Sequence, residues 1–196
     1  MNKTVLFDLG GVLINWNDDW LYDEISSQIH KPFSQIKSKF NDNLCSLFES
    51  KINESEFWDK VLGSNNEIDK KIISKIFLKK SSMNEEFLNF AKSLPMKGCT
   101  IGILSNLTPE TSKHVKKNLL ENFDYHFYSN LLKMSKPNSE IYQYVCDQIP
   151  SEKILFIDDK QENLDAAKLF GIDTLLFTVN DYQSGLIEEQ ILNYLN

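Results

Sequence analysis

The 196-residue sequence has little of what marks a secreted, membrane-spanning or thiolate-metal protein. Its three cysteines, Cys45, Cys99 and Cys146, are widely separated and form no CxxC pair. An odd count leaves at least one thiol unpaired, which excludes a complete disulfide framework and predicts reduced, buried thiols. No apolar run approaches the roughly 20 residues that a bilayer-spanning helix requires. The stretch from Lys3 into Asp8 lacks the long apolar region of a signal peptide, so a soluble, cytoplasmic protein is expected. His30, His114 and His126 show no metal-ligand spacing. No GxxxxGK(S/T) loop is present, which removes the P-loop route to nucleotide binding. Repeats and low-complexity segments are missing too. A formal net charge of −7 supplies little to neutralise phosphate backbones or anionic lipid, so no nucleic-acid or membrane partner is expected.

What is present is an ordinary core-forming composition, with 41% hydrophobic, 12% aromatic and 25% charged residues. Thr4-Val5-Leu6-Phe7 is a short β-prone run that stops at Asp8 and Gly10-Gly11. Similar runs recur at Thr100–Leu104, Tyr125–Tyr128, Ile154–Ile157 and Thr174–Phe177, with helical patterns at Glu110–Leu120, Ser139–Gln148 and Asn163–Phe170 between them. Strands alternating with helices predict an α/β fold, a Rossmann-like parallel sheet with helices on both faces. From about Asp18 to Leu94 the apolar residues recur only at helical spacing, as in Leu21, Ile25, Ile29 and Ile68, Ile72, Ile76. This predicts a core formed by 1–16 and 95–196, with an inserted all-helical lobe over 17–94.

Ligands of open parallel sheets bind outside the carboxyl ends of the strands. The first run ends at Asp8, the second at Ser105-Asn106 and the fourth at Asp158-Asp159, while Ser135-Lys136-Pro137 follows the third. Taken singly, each has a bland explanation: a turn aspartate, a helix cap, a loop lysine. Asp158-Asp159 is the exception, because adjacent buried acids repel unless a cation compensates them. Together the residues suit phosphoryl transfer: an aspartate nucleophile, hard oxygen ligands for Mg²⁺, and donors for phosphoryl oxygens.

These segments carry a family resemblance. Phe7-Asp8-Leu9-Gly10-Gly11-Val12-Leu13, Leu104-Ser105-Asn106, Ser135–Tyr142 and Phe156–Asn163 resemble, in order and approximate spacing, the four motifs of the haloacid dehalogenase superfamily. The lobe is similar to the small helical cap of that superfamily. Within it, Phe48–Ile52 followed by Glu56-Phe57-Trp58 is similar to caps of a subgroup that includes sugar-phosphate (glucose-1-phosphate-type) phosphatases. The resemblance implies a Mg²⁺-dependent phosphatase acting on a small phosphorylated metabolite such as a sugar phosphate. It implies Asp8 as nucleophile and metal ligand, and Ser105 and Asn106 as holders of phosphate oxygens. Lys136 would neutralise phosphate and nucleophile, and Asn163 would lie near phosphate or metal waters. The Gly10 carbonyl and Asp159 would ligate the metal, with Asp158 close behind.

One position departs from the pattern. The superfamily's phosphatases usually carry a second aspartate two residues after the nucleophile, as proton shuttle to the leaving group; here Gly10 stands there. Such acid–base help is typically worth about 10²–10⁴-fold. Two other functions follow from this departure: a catalytically weak binding protein, or a 2-haloacid dehalogenase, which needs no metal and does not keep the acid pair. A solvated helix start accounts for Asp18 and Asp19, and packing for Trp20 and Trp58. Trp16 and Asn17 stand where the lobe begins, with substrate contact open to them.

Overall fold

The structure, a computed structural model, describes residues 2–119 and 122–196, the side chains of 116–119 excepted. Five parallel strands form the central sheet: β1 (Lys3–Phe7), β4 (Thr100–Ser105), β5 (Tyr125–Tyr128), β6 (Lys153–Asp158) and β7 (Asp173–Leu176). Their order is β5-β4-β1-β6-β7. Phe7 is in register with Ile103 on one side and Ile157 on the other. The chain turns from one half of the sheet to the other at β1, so Asp8 leaves the sheet at the crevice where such folds hold ligands.

Alternation along β1 explains the two-layer cover. Val5 and Phe7 enter one cluster with Ile101, Ile103 and Ile157, while Leu6 enters another with Leu104 and Phe156. Both faces are apolar because both are covered. The second is packed by α8 (Ser139–Gln148) through Ile141 and Val145, and by α9 (Gln161–Lys168) through Leu164. The first receives α11 (Leu186–Leu195) and α5 (Glu85–Ser93), whose Phe87, Leu88 and Ala91 lie beside Phe7. Thus α5, grouped with the lobe by its helical spacing, packs on the sheet. Helical periodicity shows that one face is buried without showing what buries it. α6 (Pro109–Leu119), α7 (Ser129–Leu132) and α10 (Val179–Gln183) complete the layer elements. Leu120, the last residue of the predicted Glu110–Leu120 pattern, lies outside the described residues. No helix among the described residues is long and apolar enough to cross a membrane.

The lobe comprises α1 (Asp18–Ile29), α2 (Lys37–Phe48), α3 (Glu54–Leu62) and α4 (Ile72–Lys80). Asn17 caps α1 by accepting a bond from the Asp19 N–H, with Asp18 and Asp19 in the favourable first turn. Leu21, Ile25, Phe40, Phe57, Trp58 and Ile72 make its separate apolar core. The lobe is not purely helical at its root. β2 (Ile14–Asn15) and β3 (Ser82–Met83) pair antiparallel where the chain enters and leaves it. Two-residue strands have too few positions to show a period, so this pairing has no signature in the sequence.

Glu54, buried in the lobe, accepts bonds from the Ile73 N–H at 2.6 Å and the Ser74 hydroxyl at 3.1 Å, capping α4 from another helix. Burial nevertheless outweighs these bonds and lifts its carboxyl from the ordinary 4.5 to about 7. The folded chain therefore holds this proton more tightly than the unfolded chain. The contribution is fully present below about pH 4.5 and fades as pH rises to about 7. Glu54→Gln should remove that dependence, so its melting temperature is expected to gain on wild type between pH 5 and 8. The full linkage is worth about 3 kcal/mol. Parallel pH profiles for the two proteins would contradict the assignment.

Candidate active site

Asp8 extends the β1 ladder by one bond, its N–H reaching the Ile157 carbonyl at 2.9 Å. Its Oδ1 accepts the Leu9 N–H at 2.7 Å and lies 3.1 Å from the Lys136 ammonium, with the Ser105 hydroxyl as a further donor. Lys136 also reaches Asp158 Oδ2 at 2.6 Å. Asp8, Lys136 and Asp158 are 7%, 3% and 0% exposed, so this is a buried ion triad. Asp158 is saturated: it accepts from Lys136, from the Lys160 N–H at 2.8 Å, and from Asn163 Nδ2 at 3.0 Å to each oxygen.

Asp159 differs. Its Oδ1 is buried and has no hydrogen-bond partner. One oxygen from each of Asp8, Asp158 and Asp159 lies within 4.8 Å of the others. Three carboxylates thus gather around one buried ammonium, Lys136, with Lys160 as a second cation nearby that is itself paired with Asp18. Burial, and then the Asp8 and Asp158 charges, push the Asp159 carboxyl up to about 7. Burial also raises Asp8, against the pull of Lys136. On Lys136 burial works downward, but Asp158 and Asp8 outweigh it and hold the ammonium above its ordinary range. The cluster is short of positive charge. A hard divalent cation fits that deficit, with Asp8 and Asp159 as the available carboxylates and Gly10 lining the same cavity.

Gly11 makes the approach of Asp159 possible. Its φ is +82°, and a Cβ there would overlap the Asp159 carboxylate, whose Cγ lies 2.6 Å away. The sequence signals the turn at Gly10-Gly11 but not this contact. Gly10 is different again: its φ lies outside the left-handed region, and a Cβ would meet the Trp16 side chain at an ordinary 3.7 Å.

The other expected residues line the same cavity in less direct ways. Asn106 clamps the Lys136 loop, its Nδ2 donating to the Lys136 carbonyl at 2.8 Å and its Oδ1 accepting the Lys136 N–H at 2.9 Å. Asn163 orients Asp158. Trp16 and Asp18 line the cavity and are joined to each other, Nε1 donating to Oδ1 at 2.7 Å; Lys160 meets the other Asp18 oxygen at 3.1 Å. Asn17 and Asp19 are exposed at the start of α1. Glu49, part of the Phe48–Ile52 cap segment but given no role by the sequence, is buried and accepts from Ser135 Oγ at 2.8 Å and Asn138 Nδ2 at 3.2 Å, tying the end of α2 to the Lys136 loop.

Lys136→Ala is expected to cost about 3–5 kcal/mol, because it strands two buried carboxylates without their cation. A denaturant midpoint equal to that of wild type would contradict the triad's electrostatics.

Residues 2–171 match the haloacid dehalogenase-like hydrolase family. Among curated relatives, the sesquiterpene phosphatase astK of Aspergillus oryzae is 26% identical, over 90% of this chain and 90% of its own. The phosphorylated carbohydrates phosphatase of Thermotoga maritima is 27% identical, over 98% of each chain. Among solved structures, a HAD family enzyme from Bacteroides thetaiotaomicron, in complex with magnesium and inorganic phosphate, superposes with a TM-score of 0.71. It is 26% identical, over 91% of this chain and 95% of its own. A parallel sheet with Asp8 at the end of its central strand, the ordered motifs and a family match across most of the length agree: the chain belongs to the haloacid dehalogenase-like hydrolases.

Proposed function

We propose that this protein is a Mg²⁺-dependent phosphomonoesterase that works through an aspartyl-phosphate at Asp8. The observation that carries the proposal is the charge deficit: three gathered carboxylates, one buried ammonium, a second lysine already paired with Asp18, and a buried Asp159 oxygen with no hydrogen-bond partner. Mg²⁺ held by Asp8, Asp159 and the Gly10 carbonyl, with Asp158 close behind, would supply the charge that lets an anionic ester approach an anionic nucleophile.

The chain's own groups do the rest. Lys136 counters the burial that disfavours a charged Asp8 and faces the incoming phosphoryl oxygens, together with the Ser105 hydroxyl. Asn106 and Glu49 hold the Lys136 loop, and Asn163 holds Asp158 as the counter-charge to Lys136. An Asp8 oxygen attacks phosphorus as the ester P–O bond breaks, and the alkoxide leaves. With no side chain at Gly10, its proton comes from water. A second water then attacks phosphorus and gives up a proton to the hydroxide left by the first, releasing phosphate and restoring the Asp8 carboxylate. The helical segment inserted after β1 acts as a cap over the cavity, while α5 serves the core. Halide displacement from carbon, the dehalogenase alternative, has no use for the Asp159 oxygen.

The relatives' names support a phosphatase and divide on the organic part, one naming a sesquiterpene and the other carbohydrates. A small phosphorylated metabolite is the broad substrate class.

Hydrolysis of p-nitrophenyl phosphate tests the reading. Turnover is expected with Mg²⁺, to be lost on chelation and restored by adding the metal back. Undiminished turnover after chelation, or none from folded protein with Mg²⁺, would overturn it.

A further inference from the structure

The site opens into a cavity of about 530 Å³ beneath the lobe, within the range of small-molecule clefts. Its floor is polar, with Asp8, Ser105, Lys136 and Asp159. Its walls are not. Trp16, Leu21, Phe40, Leu44, Ile73 and Phe77 face it from the lobe and its root. The inner polar groups of these walls already have partners. Trp16 Nε1 donates to Asp18, which also pairs with Lys160, and the Tyr22 hydroxyl bonds Asp18. Thr108 and Thr111 bond each other at 3.1 Å. Lys37, Asn41 and Glu162 also line the cavity but are solvent-exposed.

A sugar's hydroxyls would lose water against such walls and gain few partners, which is costly for each group left unpaired. A hydrocarbon loses nothing there and gains from burial. From the contrast of floor and wall we propose that the preferred ligands are phosphomonoesters of apolar alcohols, alkyl or branched, and not sugar phosphates. The inference rests on the reading above that this cavity takes a phosphate ester, and it narrows the organic part of that ester.

Affinity is the direct readout, because binding does not need the proton that Gly10 fails to supply. Calorimetric titration of Asp8→Asn protein with Mg²⁺ and ethyl, butyl and hexyl phosphate should show affinity rising about fourfold per added methylene. Glucose 1-phosphate and glucose 6-phosphate should bind no better than inorganic phosphate. Leu44→Asn should flatten the chain-length dependence. KM values of wild type across the same esters repeat the ranking without the Asp8 substitution.

A flat series, or a glucose phosphate bound more tightly than hexyl phosphate, overturns the proposal. Failure of the hydrolase reading looks different: alkyl phosphates would bind in the expected order while p-nitrophenyl phosphate stayed intact. The reverse failure, turnover of p-nitrophenyl phosphate with a flat alkyl series, would spare the hydrolase and remove the apolar substrate class.

Discussion

Replacing Asp8 by asparagine is expected to reduce turnover of p-nitrophenyl phosphate by about 10⁴-fold or more while leaving the fold intact. The amide has nearly the shape of the carboxylate but is a poor nucleophile, so the attack on phosphorus is lost without a cavity being created. The fold should tolerate the change for an electrostatic reason. Burial is the largest influence on Asp8 and disfavours its charge, and Asp158 adds to the strain. Removing that charge leaves Lys136 still paired to Asp158 at 2.6 Å. The melting temperature of Asp8→Asn should therefore equal or exceed that of wild type. Thermal melts and initial rates on one preparation check both halves. Mg²⁺-dependent turnover near the wild-type rate would remove Asp8 as nucleophile, and a collapsed melt would mean that its charge is structural.

Gly10→Asp is expected to accelerate hydrolysis of esters with poor leaving groups, such as alkyl phosphates, by about 10²–10⁴-fold. It should change p-nitrophenyl phosphate hydrolysis little, because that leaving group departs without a proton. The position accepts a side chain: its φ is not left-handed, and a Cβ would touch Trp16 at 3.7–3.9 Å, ordinary van der Waals contact. Gly11 next to it would not, since its Cβ would overlap Asp159. The two glycines of one turn thus answer opposite demands, one replaceable and one required. Equal gains on alkyl and aryl esters would point to an effect other than leaving-group protonation. No gain on either, from folded protein, would show that proton delivery does not limit this enzyme.

The core fold is legible in the sequence because its signals are local. Thr4–Phe7, Ile154–Ile157 and the other runs are short, β-prone and bounded by turn residues, and the alternation with helices leaves a parallel sheet as the consistent arrangement. The polar segments at the ends of β1, β4 and β6 are equally legible, since a residue following a buried parallel strand is delivered to the carboxyl edge whatever its neighbours are. Lys136 instead reaches that edge through the loop after α7.

Much of the site is not local in this way. Asp158 and Asp159 are adjacent in sequence and opposite in condition. One is saturated by Lys136, Lys160 and Asn163, and the other has a buried oxygen with no partner. Asn106 has the composition of a phosphate holder and spends both ends of its amide on the Lys136 backbone, 30 residues away. Glu49 reaches the Lys136 loop across 86 residues from a helix of the lobe.

By itself, then, the sequence determines the sheet, the inserted helical segment and the set of chemical groups at one edge, because strand propensity and helical period are properties of neighbouring residues. Only the tertiary structure decides that α5 packs on the sheet, that Trp16 stands over Gly10, and that the cavity has apolar walls above an anionic floor. Those outcomes depend on which distant surfaces meet and which polar groups find partners, and a carboxylate's charge, reach and role follow from the company it keeps.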